Sequence, residues 1–209
     1  MPEIISIPVI FDKSHLLTIG ERLYSTSLDL IRELVSNAYD ADATRVDIAI
    51  SPREISVQDN GSGMDQRALL QYFTIVSQEK RVHPVSPRFQ LKRIGEFGIG
   101  KFSVLSIAGE FIIETWQAET QFRARVVFDA ARWSNEHENW SIPCEILPFN
   151  SAYSHGTRVT IRNIKKPLDP TNVVRHIRER LPIGREDFHI FVNGAEVAAT
   201  TIPGKRFPV

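Results

Sequence analysis

The sequence is poor in the features that mark secreted, membrane-embedded or metal-scaffolded proteins. Its one cysteine, Cys144, excludes an internal disulfide and a multi-cysteine zinc site, and suits a reducing, cytoplasmic compartment. Charge of either sign is not in excess: 25 Lys plus Arg balance 25 Asp plus Glu. No overall field therefore draws the chain to nucleic acid or to an anionic membrane, and any polyanion contact has to be local. The opening stretch, MPEIISIPVIFDKSH, lacks the basic start and continuous apolar run of a signal peptide. Apolar runs of the roughly 18 residues needed to cross a bilayer are absent throughout. Repeats, low-complexity tracts and long Pro/Gly linkers are absent too, which argues against two tethered domains. What remains is a chain of 209 residues, 42% of them hydrophobic, enough for one substantial core and one domain spanning 1–209.

From Ser27 to Ala41 the apolar residues Leu28, Ile31, Leu34, Val35 and Ala38 recur at helical spacing and predict a helix with one buried stripe. RVDIAI and EISVQD alternate around a Ser-Pro-Arg turn and predict a hairpin of half-buried strands. After DNGSGM a second helix is expected from Asp65 to Ser77, followed by a polar, proline-punctuated stretch from Gln78 to Arg93 that reads as a lid. IGEFGIGKFSVLSIAG reads as a glycine loop opening a short helix. The remainder is strand-rich (FIIETW, FRARVVF, EILPF, GTRVTI, FHIFVNG), with one more helix from Pro170 to Arg180. These elements sum to an α+β two-layer sandwich, with helices on one face of a mixed, mainly antiparallel sheet. Arg175, Arg178, Arg180 and Arg185 read as a solvated helix face.

Three clusters carry candidate chemistry. Glu33, Asn37 and Asp40 fall within an arc of about 60° on the helix face opposite the apolar stripe. Most amphipathic helices carry a solvated polar face there. An Asn carboxamide that ligates Mg2+ and a Glu that deprotonates water one turn earlier would use the same arc. Asp59, Gly61 and Gly63 follow a strand directly. This loop is either a bare turn or a place where backbone approaches a flat ligand and Asp59 accepts a hydrogen bond from an exocyclic amine. Gly95, Gly98, Gly100 and Lys101 lie at a helix start, where unpaired N–H groups and a cation favour phosphate. GEFGIGKF misses the GxxxxGK(S/T) phosphate loop at its last place, because Phe102 cannot ligate magnesium. The GxGxxG dinucleotide fingerprint is absent.

Taken in order, ELVSNAYDADA, QDNGSGMD, RIGEFGIGKFS and GTRVTI resemble the four nucleotide-binding motifs of the GHKL ATPases, the superfamily of gyrase B, the ninety-kilodalton heat-shock chaperones, histidine kinases and MutL. The resemblance covers roughly Leu28 to Ile161 and is nearest to the heat-shock chaperone and MORC types. It implies the Bergerat ATP-binding sandwich, with ATP and Mg2+ as ligands. It also implies Glu33 as general base, Asn37 as magnesium ligand, Asp40 in a supporting place and Asp59 as the adenine reader. Gly61 would belong to the same nucleotide-binding loop, Gly63 and Met64 would supply the backbone and apolar rim under the base, and Thr157 would be the water-linked partner of Asp59. Gly95, Phe97, Gly98, Ile99, Gly100 and Lys101 would hold the triphosphate, with Lys80 and Arg81 of the lid as weaker candidates.

The resemblance further implies a lid spanning about 65–94, an exchangeable N-terminal arm within residues 1–19, and an ATP-dependent homodimer. Gyrase- and MutL-type members complete their site with a lysine from a following domain. That implies a longer parent protein, whose client, or nucleic acid contact if it has one, lies outside this chain. Two other uses of the same pocket remain open: an ATP-gated interaction module that does not hydrolyse, and a protein kinase.

Overall fold

The computed structural model describes residues 27–73, 85–86, 88–90, 108–129, 131–132, 141–150, 154–165, 167–181 and 185–198. Helix α1 runs from Ser27 to Asp40 with no glycine or proline inside it, and its Leu30, Ile31, Leu34, Val35 and Ala38 are buried. It ends where Asp42 takes a positive φ of 59°. Ala43 N then donates to Ala38 O (3.0 Å) and Asp42 N to Tyr39 O (3.1 Å). This is a Schellman stop, and it carries aspartate where glycine is usual. The carboxylate of Asp42 is itself tied down, since it accepts Arg88 N at 2.7 Å and Phe89 N at 3.3 Å.

Strands β1 (Arg45–Ile50) and β2 (Glu54–Asp59) form the expected hairpin. Ser51 closes its turn, with Ser51 N and Oγ both donating to Glu54 O at 2.9 Å. Helix α2 is described over Gln66–Phe73, and its expected continuation to Ser77 lies outside the described residues. Asp65 Oδ1 accepts Ala68 N (2.7 Å) and so caps its start. β3 (Ala108–Gln117), β4 (Phe122–Asp129), β5 (Cys144–Ile146) and β6 (His155–Ile164) follow. Helix α3 (Pro170–Arg180) has the predicted bounds, with Asp169 as cap and proline in the first turn, where no N–H is needed. β7 (His189–Val192) and β8 (Ala195–Glu196) complete the order. The EILPF strand is shorter than expected: its ladder stops at Ile146, with one further bond from Leu147 N to Arg123 O, because Pro148 has no N–H to offer.

The sheet order is β5-β4-β3-β6-β2-β1-β7-β8, and among the described residues β1 and β7 are the one parallel pair. Period-two alternation sorts its faces. Val46, Ile48, Ile55, Val57, Val159, Ile161, Phe111 and Ile113 point inward and share one core with α1 and with Val173 and Ile177 of α3. Ser56, Gln58, Arg158, Arg162, Glu54, Glu110 and Glu114 point outward, where Arg162 Nε pairs with Glu54 Oε2 at 2.8 Å. The two-layer sandwich follows, because only one face is apolar enough to need covering. Among the described residues no helix is long and apolar enough to cross a membrane.

One arginine departs from expectation. Arg175, Arg178 and Arg180 are exposed on α3, whereas Arg185 lies beyond the helix with its side chain only 9% exposed. Its guanidinium sits 4.5 Å from the Phe89 ring, 5.4 Å from Tyr39 and 5.8 Å from Phe188, and pairs with both oxygens of Asp187. Ring faces attract a weakly hydrated cation, which is why this arginine is buried among aromatics and does not face water.

Candidate functional site

Register places the site before any ligand is considered. Asp59 on β2 is opposite Thr157 on β6, and Thr157 is opposite Thr115 on β3. The three occupy one row of the inward face, in places where the neighbouring rows carry Val57, Val159 and Ile113. A polar row inside an apolar face costs free energy unless its members are paired, so each partner matters. Asp59 Oδ1 accepts Gly61 N at 2.8 Å, and the backbone N–H of Thr157 reaches the same carboxylate. Burial raises the carboxyl above its ordinary 3.8 to about 6, and the two N–H bonds offset only part of that rise. Asp59 as a residue is only partly buried, and a hydrogen-bond donor that reached its carboxylate would relieve the desolvation.

The floor beneath this row depends on two glycines. Gly63 has φ +66°, and a Cβ there would stand 2.2 Å from the Trp116 carbonyl oxygen. Gly156, just before Thr157, would put a Cβ 2.4 Å from the Asp59 carbonyl oxygen and 3.0 Å from the Trp116 indole. Only hydrogen fits at either position. Gly63 is thus positioned by the close approach of DNGSGM to β3, and Met64, partly buried, hangs from the same strand through Met64 N to Thr115 Oγ1 at 2.8 Å.

The first motif meets the second directly. Ser62 N donates to Ala41 O at 2.7 Å, joining the DNGSG loop to the end of α1. Asn60 Oδ1 accepts Thr44 N and Arg45 N at 2.9 and 2.8 Å, which braces the loop from its other side. On α1, Glu33 and Asp40 are each 7% exposed and Asn37 is half-buried. Their arc is therefore enclosed by protein, unlike a solvated helix face. Asn37 follows Glu33 by one turn, giving an amide oxygen and a carboxylate on one helical face. So sparse a donor set fits Mg2+, which keeps waters and phosphate oxygens and takes one or two protein oxygens. Lys80, Arg81 and the whole glycine loop (Gly95, Phe97, Gly98, Ile99, Gly100, Lys101) lie outside the described residues, as does the arm within 1–19.

Sequence reasoning missed three contributors. Thr115 takes the inward place after Phe111 and Ile113 in a strand whose pattern asks for an apolar residue, and that break was the available signal. Gly156 was legible only as part of GTRVTI. Asp42 gave no signal, because its role comes from residues 88 and 89, far along the chain.

The described residues thus form an α+β sandwich with a desolvated carboxylate at a strand end, two glycines packed beside it and an acid-amide helix joined to its loop. The family profile described as histidine kinase-, DNA gyrase B- and HSP90-like ATPase matches residues 24–157, and the chain belongs to that family. It is 30% identical over 171 residues to a protein assigned as the type II restriction enzyme HgiDII of Herpetosiphon aurantiacus, covering 76% of this chain and 26% of that protein. It is 26% identical over 159 residues to the DNA mismatch repair protein MutL of Rippkaea orientalis, covering 75% of this chain and 26% of MutL. Against the chaperone protein HtpG of Helicobacter acinonychis identity is 26% over 118 residues, covering 44% of this chain and 19% of HtpG. The chain thus spans about a quarter or less of the length of these relatives.

Proposed function

We propose that this chain binds ATP and hydrolyses it with Mg2+, and that its nucleotide state closes a lid and gates dimerisation of a larger protein. The observation that carries the reading is the row Asp59-Thr157-Thr115, joined to the helix of Glu33 and Asn37 through the bond from Ser62 N to Ala41 O. Asp59, ionised, accepts the exocyclic amine of adenine, which guanine cannot offer at that place. Thr157 holds a hydroxyl beside it for the adjacent ring nitrogen, directly or through water. Glu33 takes a proton from the attacking water, and Asn37 lends its amide oxygen to the metal. Mg2+, when bound, neutralises charge on the phosphate oxygens. Gly95, Gly98, Gly100, Lys101 and the backbone of Phe97 and Ile99 cradle the phosphates, with Lys80 over the γ-phosphate.

Closure of the lid within 65–94 and exchange of the arm within 1–19 would then couple turnover to pairing of two copies. Relatives named for restriction, mismatch repair and chaperone work share this piece, so the client is set by the rest of the parent protein.

Two substitutions test the roles. Glu33→Ala keeps ATP affinity and slows phosphate release by about a hundredfold or more, the usual contribution of a general base. Asp59→Asn abolishes ATP binding in calorimetry. Parental turnover in the first, or unchanged affinity in the second, removes the corresponding role. Size in solution with and without a non-hydrolysable ATP analogue tests the dimer.

A further inference from the structure

Thr115 is fully buried, and its hydroxyl meets three groups. It accepts Met64 N–H at 2.8 Å, and it lies 3.3 Å from both the Gly156 carbonyl oxygen and the Thr157 hydroxyl. A hydroxyl has one proton and two lone pairs. With one lone pair committed to Met64, the proton of Thr115 goes either to Gly156 O or to Thr157 Oγ1. In the second arrangement Thr157 is already an acceptor, and its own proton is free to point into the pocket. In the first, Thr157 gives its proton back to Thr115 and offers the pocket a lone pair. The two arrangements suit different ligands: the ring nitrogen of adenine beside the amine is an acceptor and needs a donor, whereas the corresponding position of guanine carries N–H.

Resting on the ATP reading above, we propose that Thr115 is a positioning residue for base selection: it fixes the DNGSGM loop through Met64 and turns the Thr157 hydroxyl into a donor toward adenine. It touches no ligand itself. Three facts support a role for the hydroxyl beyond packing. Thr115 occupies an inward place flanked along the strand by Ile113, so an apolar side chain would satisfy the core there. Its hydroxyl is shared by the loop under the base and by the strand carrying Thr157. Gly156 and Gly63, whose close contacts bring that loop and that strand together, admit no side chain.

The test separates hydroxyl from shape. Thr115→Val keeps the volume and the β-branch and loses the hydroxyl, while Thr115→Ser does the reverse. For a positioning role, Thr115→Val binds ATP about tenfold more weakly and loses most of its ATP-over-GTP preference, and Thr115→Ser behaves as the parent. Parental ATP affinity and preference in Thr115→Val overturn the proposal, as does Thr115→Ser matching Thr115→Val, which would mean packing alone. If Thr115→Val does not fold, hydrogen exchange at the Met64 amide of the parent protein decides: protection that deepens with an ATP analogue is expected, and exchange at the free-amide rate overturns the proposal. Failure of the underlying reading looks different. There the parent chain itself fails to bind ATP, whatever residue occupies position 115, and both ideas fall together.

Discussion

Adenosine binding should weaken sharply below pH 6, and the cause is the Asp59 carboxyl. In the free folded chain its pKa is raised to about 6, chiefly by burial. On the ATP reading, the ionised carboxylate is the form that holds the adenine amine tightly, a protonated carboxyl being a weaker acceptor with a proton to place, so affinity follows the ionised fraction. At pH 7 that fraction is about nine-tenths and at pH 5 about one-tenth, so Kd rises by about tenfold between them. A phosphate-free ligand is the right probe, because terminal phosphates titrate near pH 6 and would blur the profile. Calorimetric titration of adenosine from pH 5 to 8 reads the effect, with guanosine as control. A flat profile would refute the argument, and so would an inflection that persists in Asp59→Asn.

The same shift has a stability counterpart of opposite sense to the usual salt-bridged aspartate. Because the folded pKa lies above the unfolded value of 3.8, the folded state holds the extra proton. That contribution is fully present below pH 3.8 and is lost as pH rises through 6. Its ceiling is about 3 kcal/mol, reduced by the water that still reaches a partly exposed residue. Replacing Asp59 with Asn should therefore stabilise the unliganded chain near pH 7 in urea denaturation, even as it removes ligand binding.

Gly63→Ala forces a methyl group to within 2.2 Å of the Trp116 carbonyl oxygen at a positive φ. It should cost more than about 1 kcal/mol in thermal denaturation and weaken ATP binding together. Asp42→Ala removes the buried acceptor of Arg88 N and Phe89 N and places alanine in the left-handed region. The expected loss is about 2–3 kcal/mol, with faster hydrogen exchange at residues 88 and 89. Asp42→Asn should recover part of it, since asparagine tolerates that backbone.

Burial explains which parts of the site could be read early. Glu33, Asn37 and Asp40 were visible because helical period alone puts them on one arc, and Asp59 with its glycines because they sit together in the chain. Their enclosure was not visible: whether that arc faces water or protein depends on what the fold lays over α1. The second helix, the hairpin and α3 followed from alternation, caps and proline position, all local signals. Arg185 was misread for the complementary reason. Its spacing resembled that of α3, and the cage of Tyr39, Phe89 and Phe188 comes from three separate stretches of chain.

The amino-acid order by itself determined the α+β sandwich, most element boundaries and the four motifs, since those depend on periodicity and on contacts between near neighbours. The tertiary structure alone decided that Thr115 lies in one row with Asp59 and Thr157, on strands up to 98 residues apart by their numbers. It also decided that Asp42 reaches the segment at 88–89. Strand register fixes such juxtapositions, and register is set by how whole faces pack, which no short window of sequence contains.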